Sequence, residues 1–283
     1  LRAIKWNMSI LLQGETGVGK SSLAKKIHAV SDRRGQFIHI NISSYSESLI
    51  ESELFGHKKG AFTGAINDKI GALQQADDGT LFIDEIDSLP IKIQTKLLLF
   101  LDNYRARAVG GTQEYQVNVR LIFSSGQCLK ALVKKGQMRR DFYYRISDGQ
   151  LIHLQSLRDN PHLIQSFCKR FEVDNKMKLN KKLIEFYESL PWPGNYRQIK
   201  GHLNRKMILA KSNKIDFDQT DEMLIEQSSE LIEINNDKEI YSLNDVKEAY
   251  IKKIFLQSDS NYNIAAKKLM ISPRSIRTLL GKN

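Results

Sequence analysis

Residues 9–28, SILLQGETGVGKSSLAKKIH, restrict the fold more than any other stretch of this chain. Ile10, Leu11 and Leu12 form a short apolar run that predicts a buried strand. Gly14 to Ser21 then fits G-x-x-x-x-G-K-[ST], and Leu23 and Ile27 continue at helical spacing. A strand, a glycine-rich turn and a helix are the context in which such a turn cradles phosphate. Its backbone N–H groups curl around the anion, and the helix N-terminus adds its positive end. The candidate nucleotide-binding residues are therefore Gly14, Glu15, Thr16, Gly17, Val18, Gly19, Lys20, Ser21 and Ser22. Lys20 would reach the β/γ-phosphates and Ser21 would ligate Mg2+.

A second signal is GTLFIDEID, 79–87. Leu81, Phe82 and Ile83 predict a buried strand ending in Asp84 and Glu85, at the end of the strand where α/β sheets bind ligands. Asp84 would hold Mg2+ through water and Glu85 would polarise an attacking water. With the phosphate loop upstream, the pair indicates an NTP hydrolase. Phe37 to Ile42 predicts a further strand, PIKIQTKLLLFLDN an amphipathic helix opening at Pro90, and YQVNVRLIFSS one more core strand. Strands alternating with helices imply an α/β fold with a parallel sheet covered on both faces. In GQMRRDFYYRI, 136–146, Arg139, Arg140 and Arg145 stand among aromatic residues. They suit a basic surface helix, and Arg139 and Arg145 equally suit arginine fingers reaching a neighbour's ATP site.

With 283 residues, 41% of them hydrophobic, the chain can bury a large core, and no apolar run approaches bilayer length. No signal peptide opens it, and it starts at Leu1 without an initiator methionine, so a missing N-terminal region is expected. Cys128 and Cys168 are read as reduced thiols of a cytoplasmic protein, and the histidines do not pair with them at zinc-site spacing. The formal charge of +11 suits a polyanionic partner, nucleotide or nucleic acid.

GHKKGAFTGAIND, 56–68, puts Phe62 and Thr63 between Gly60 and Gly64, with no helical or strand period to bury the aromatic. It is one of several motifs by which the chain resembles the AAA+ domain of sigma-54-dependent transcriptional activators, the bacterial enhancer-binding proteins. GETGVGKS, ESELFGHKKGAFTGA, ADDGTLFIDEI, VGGT, RRDFYYRI and WPGNYRQIK occur in that family's order and span nearly the whole chain. The resemblance implies ATP and Mg2+ as cofactors and a homo-oligomeric ring, expected to be a hexamer. It also implies that Gly60, Ala61, Phe62, Thr63, Gly64 and Ala65 touch sigma-54 when ATP is bound, Phe62 being exposed because its burial partner is another protein. A loop folded back under its own domain is the alternative for the resting state. The resemblance further makes Asn41 the residue that restrains Glu85, Arg139 and Arg145 trans-acting arginines, and Arg197 a lid arginine sensing the γ-phosphate. Three positions depart from the family pattern. Gly126 stands where an asparagine is usual, Asp87 where a small residue is common, and Gln198 where an acid follows the lid arginine.

The organisation expected is an α/β core over 1–152, a helical lid over 153–212, a polar, acidic linker over 213–240 and an all-α tail over 241–283. Leu183, Phe186, Leu190, Ile199, Leu203 and Ile208 are the lid's predicted apolar points. The tail, with Ala265 and Ala266 before a turn and Pro273 at the next helix, resembles a Fis-type helix-turn-helix. Arg274, Ser275, Arg277 and Lys282 would contact DNA; a short basic helix pair also suits protein docking. Together these features imply an ATP-driven activator of sigma-54 RNA polymerase holoenzyme that binds double-stranded enhancer DNA and no membrane. The alternative is a DNA-binding regulator whose slow or degenerate ATPase is a nucleotide-gated scaffold, for which Gly126 argues.

Overall fold

The computed structural model describes residues 8–210, 212–221 and 224 of a larger unit spanning Leu1–Leu231. Of a smaller unit, Ile232–Asn283, it describes residues 251, 254, 262–269, 272, 273 and 276. In chain order β1 (Ile10–Gln13) leads to α1 (Lys20–Ala29), β2 (Phe37–Asn41), α2 (Glu47–Phe55), β3 (Gly56–His57) and β4 (Lys69–Ile70). There follow α3 (Ala72–Gln75), β5 (Thr80–Asp84), α4 (Ile91–Asn103), β6 (Arg105–Arg107), β7 (Glu114–Gln116) and β8 (Arg120–Ser125). The core closes with α5 (Leu129–Lys134), α6 (Arg140–Ser147) and β9 (Gln150–His153).

Five strands form one parallel sheet in the order β2-β5-β8-β1-β9. Successive side chains of a strand point to opposite faces, and here both faces are buried. Ile10, Leu12, Phe82 and Ile122 pack with Ala24 and Ile27 of α1 on one side. Leu11, Leu81, Ile83, Leu121 and Phe123 pack with Leu54, Leu97, Phe100, Phe142 and Ile146 on the other. Because all five strands are parallel, the ends of β1, β5 and β8 meet at one edge, and the site is built there. The expected strand YQVNVRLIFSS divides. Its alternating half pairs as β7 with β6 in an antiparallel hairpin, and only its apolar half enters the sheet. The edge strand β9 carries no strong sequence signal, because Gln150, Leu151 and His153 are exposed.

The lid comprises α7 (His162–Asn175), β10 (Lys178–Leu179), α8 (Lys181–Ser189), α9 (Asn195–Leu209) and β11 (Lys214–Ile215). Leu183, Leu190, Ile199 and Leu203 lie in its core as expected, around Tyr187 and Trp192. Trp192 Nε1 donates to the Tyr187 carbonyl at 2.6 Å, which satisfies the indole inside the core. Ile208, expected inside, is 78% exposed: it lies in the last turn of α9, off the face that packs on the lid core, beside Leu209, which is 74% exposed. Within 213–240, expected to be a linker whose apolar residues leave room for a short ordered piece, such a piece is present. β11 pairs with β10, Ile215 and Leu224 join the lid core, and Asp221 is wholly buried.

In the smaller unit α10 (Tyr262–Leu269) carries the buried Ala265 and Ala266, which cluster with Ile251 and Ile276. The proposed DNA contacts Arg274, Ser275, Arg277 and Lys282 lie outside the described residues. No helix among the described residues is long and apolar enough to cross a membrane.

Asp221 gathers the lid's buried charge. It meets His202 Nε2 at 2.7 Å, accepts from the Tyr187 hydroxyl at 3.0 Å and pairs with the buried Lys206. Burial works to raise its pKa, but the hydrogen bonds from His202, Lys206 and the Asp218 amide prevail and hold it at about 2, against an ordinary 3.8. A carboxyl depressed in the folded state stabilises that state only while ionised. This contribution, about 2–3 kcal/mol, is complete above roughly pH 4 and is lost as pH falls toward 2. Asp221→Asn is therefore expected to destabilise the lid by roughly 2–3 kcal/mol, since it removes the ionised carboxylate and leaves the buried Lys206 with Asp218, at 2.8 Å, as its carboxylate partner. It should also flatten the fall in stability between pH 4 and 2 that is expected in urea melts of the parent.

Candidate functional site

The turn from β1 into α1 runs over the edge where the strands end, and the Gly14 amide donates to the Ser125 carbonyl at 3.2 Å. Gly17 has φ +82, and a Cβ there would lie 2.2 Å from the Gly194 carbonyl oxygen. Only glycine lets the lid turn come this close to the phosphate loop. Lys20 is buried, and its Nζ donates to the carbonyls of Gly14 at 2.6 Å and Glu15 at 3.0 Å. Burial lowers its pKa; Asp84, Asp87 and Glu85 pull the other way without cancelling it.

Asp84 ends β5 beside Ser124 of β8. The Ser124 hydroxyl donates to Asp84 Oδ1 and accepts from the Glu85 amide at 3.2 Å. Ser21 Oγ lies 3.4 Å from Asp84 Oδ2, and His39 Nε2 approaches the same oxygen at 3.4 Å. Burial tends to raise the Asp84 pKa, but the hydrogen bonds from His39 and Ser124 and the Lys20 charge hold it low. Glu85 takes a left-handed backbone, φ 58 and ψ 48, a conformation that costs a non-glycine residue about 1–3 kcal/mol and often marks working sites. It breaks the strand just after Asp84 and lets two adjacent residues serve one cleft.

A hydroxyl and a carboxylate side by side suit a hard divalent cation. Among the described residues no group of three or more His, Cys, Asp or Glu side chains could hold a metal alone. Mg2+ held by Ser21, with Asp84 acting through water, would thus take its remaining ligands from phosphate oxygens and water.

Thr16, Gly17, Gly19, Lys20, Ser21, Ser22, Asp84, Glu85 and Arg197, each singled out by the sequence, line one cleft of about 210 Å³. Tyr196 and Lys200 line it as well. Neither was singled out, although Lys200 is three residues beyond Arg197 on α9 and so shares its face. Other expected residues lie differently. The Glu15 carboxylate turns to the lid, where Arg158 and Asn195 hold it, and only its carbonyl serves Lys20. The Asn41 side-chain oxygen accepts from Ser43 N at 2.9 Å and Ser43 Oγ at 2.8 Å. It therefore caps a turn, and no hydrogen bond joins Asn41 to Glu85 among the described residues. Arg139 pairs with Asp141 at 2.6 Å, and Arg145 donates to the Leu101 carbonyl at 2.6 Å and faces Asp102 at 3.3 Å. Neither arginine lines the cleft of its own chain.

The segment from Gly60 to Ala65 caps the β3–β4 pair. Gly60 and Gly64 have φ +82 and +100, the Gly60 amide donates to the Ala65 carbonyl at 2.8 Å, and Lys58 pairs with Asp68 at 2.6 Å across the base. Phe62 is 36% exposed and meets the His57 ring edge-on at 5.0 Å. It is thus neither free of its own domain nor buried in it.

Residues 1–166 match the sigma-54 interaction domain, and residues 155–236 match an AAA+ ATPase lid domain. The chain belongs to the sigma-54 interaction domain family. Over 216 residues it is 43% identical to a Nif-specific regulatory protein of Rhizobium meliloti (strain 1021), which covers 74% of this chain and 40% of that one. Over 212 residues it is 39% identical to the sigma54-dependent transcriptional activator SfnR of Pseudomonas putida, covering 71% of this chain and 57% of that one. The chain thus spans roughly half the length, or less, of these relatives. The crystal structure of NtrX from Brucella abortus in complex with ADP superposes with a TM-score of 0.70 at 26% identity, over 99% of this chain and 65% of that one. The fold is accordingly that of an AAA+ ATPase domain: a parallel sheet with a helical lid.

Gly126 of this sigma-54 interaction domain directly follows β8, two residues beyond Ser124, and no heavy atom lies within 4 Å of where its Cβ would stand. The hydroxyls that could replace a missing amide are engaged, Ser124 with Asp84 and Ser125 with the Gln127 carbonyl at 2.9 Å. An asparagine side chain fits the space, and a hydrogen bond to a charged group contributes about 1.5–3 kcal/mol, or roughly ten- to a hundredfold in rate. Gly126→Asn is expected to raise steady-state phosphate release toward that range. A flat or lower rate with nucleotide binding intact would show that Gln127 or another group already does the work.

Proposed function

We propose that the chain is the ATP-hydrolysing part of an activator of sigma-54 RNA polymerase, working as a ring with ATP bound between subunits. The observation that carries this reading is the convergence of Lys20, Ser21, Asp84, Glu85 and Arg197 on one cleft. In it Lys20 neutralises the β/γ-phosphates, and Glu85 takes the proton of the attacking water. Ser124 fixes the carboxylate of Asp84, and Arg197 reads the γ-phosphate from the lid. Mg2+, when bound, would neutralise charge on the phosphate oxygens. Arg139 and Arg145 leave their own-chain partners to reach the neighbouring subunit's nucleotide, in a ring we take to be a hexamer.

The change at the cleft moves the Gly60–Ala65 loop, and Phe62 exchanges the His57 ring for a surface of sigma-54. That partial seating supports the assignment, since a contact that stores the aromatic without burying it can be exchanged. The tail, through Arg274, Ser275, Arg277 and Lys282, holds enhancer DNA. A second reading, in which a slow ATPase is a nucleotide-gated scaffold for a DNA-binding regulator, draws on Gly126.

The test is promoter opening by sigma-54 polymerase with and without Mg-ATP, alongside phosphate release. The parent should open promoters only with ATP, and Lys20→Ala should do neither. Phe62→Ala should keep most of its phosphate release and lose promoter opening, because Phe62 carries no chemistry of its own. Opening by Phe62→Ala at the parental level would remove the loop from the contact. Nucleotide binding without phosphate release in the parent would favour the scaffold.

A further inference from the structure

Asn195 is fully buried on a left-handed backbone, φ 48, which asparagine tolerates better than most residues. Its side chain spans three segments. Oδ1 accepts from the Leu157 amide at 2.9 Å, and Nδ2 donates to the Thr16 carbonyl at 3.1 Å and to Glu15 Oε2 at 3.2 Å. Arg158 grips the other oxygen of the same Glu15 carboxylate. The carbonyls of the phosphate loop are thus shared out. Those of Gly14 and Glu15 go to Lys20, and that of Thr16 goes to the lid. Two residues beyond Asn195, on the same helix, stands Arg197 in the cleft.

We propose that Asn195 is a positioning residue which, with Glu15 and Arg158, straps the lid to the phosphate loop and so sets the reach of Arg197 into the nucleotide cleft. The inference rests on the nucleotide-binding reading of that cleft. The strap itself is a property of the chain, and it has a consequence without nucleotide. Thr16 and its neighbours should be held as firmly as the lid turn that touches them. With nucleotide, Arg197 can act at the γ-phosphate only while α9 starts from a fixed point on the loop. Glu15 then acts through the lid, and its side chain needs no contact with phosphate.

The test uses the full chain and two strap variants, Glu15→Ala and Asn195→Ala. Glu15→Ala removes a half-exposed side chain and leaves the lid core untouched, which guards against a misfolded Asn195→Ala. Hydrogen exchange without nucleotide should be faster over 14–19 in either variant, with the sheet strands unchanged. Parental exchange over that segment would overturn the strap whatever the nucleotide does. Affinities for Mg-ATP and Mg-ADP are then compared with and without Arg197→Ala. In the parent background Arg197→Ala should weaken ATP about tenfold and ADP little, the loss of one charge-assisted hydrogen bond. In the Glu15→Ala background the same change should cost ATP much less. Equal losses in both backgrounds would overturn the coupling. Faster exchange in the two variants, together with a parent that binds neither nucleotide, would sink the nucleotide reading and leave the strap standing.

Discussion

One hydroxyl joins the two acidic residues of the cleft. Ser124 is the last residue but one of β8, a strand lying between β1 and β5, and from there it donates to Asp84 and receives the Glu85 amide. That bond holds the Asp84 carboxylate at Ser21 and ties down a left-handed Glu85 that would otherwise relax. It depends on parallel register. Leu81 stands beside Leu121, Ile83 beside Phe123 and Leu12 beside Ser124, so the functional ends of three strands finish level. Period-two alternation over two buried faces locks this register, since a slip of one residue would exchange the faces.

Much of this was legible in the sequence. The phosphate loop carries its own context of strand and helix, and Asp84 with Glu85 closes an apolar run, so local pattern and chemistry coincide. The lid's apolar points follow helical spacing, apart from Ile208. The less legible parts have physical reasons. β9 is an edge strand with exposed side chains, so it lacks both an apolar run and a clean alternation. The buried role of Asp221 depends on His202 and Lys206, which are remote in sequence, and an acidic stretch reads as solvated until its partners are known. The side-chain bonds of Glu15 and Asn195 join positions 180 residues apart, beyond any local pattern. Asn41 shows the opposite limit: its identity fits a family role, while its side-chain oxygen is engaged by Ser43.

The outlying loop follows a different logic from the core. Its tip holds no buried cluster, and its geometry comes from two left-handed glycines, local backbone hydrogen bonds such as that from the Gly60 amide to the Ala65 carbonyl, a Lys58–Asp68 pair exposed to water and the edge of one imidazole. An exposed ion pair contributes about 0–1 kcal/mol, so the loop is held by contacts that can be given up one at a time. The phosphate cleft, by contrast, is built from buried strands whose register cannot drift. A rigid cleft and a lightly held loop therefore occupy one domain.

The sheet order also has a consequence for how the chain is made. β1 emerges first, yet both its neighbours, β8 and β9, come more than a hundred residues later, with Ile10 beside Ile122 and Gln150. β2 and β5 sit closer in sequence and can pair well before β1 has any partner. Contacts of such long separation slow folding, because the chain must be closed over a great length before they form. During synthesis the phosphate-loop strand thus waits, apolar and unpaired, until the far end of the core has left the ribosome. In this interval Ile10, Leu11 and Leu12 are exposed to misassociation and chaperone capture, and the strand that leads into the phosphate loop gains shelter only after β2 and β5 have been able to pair.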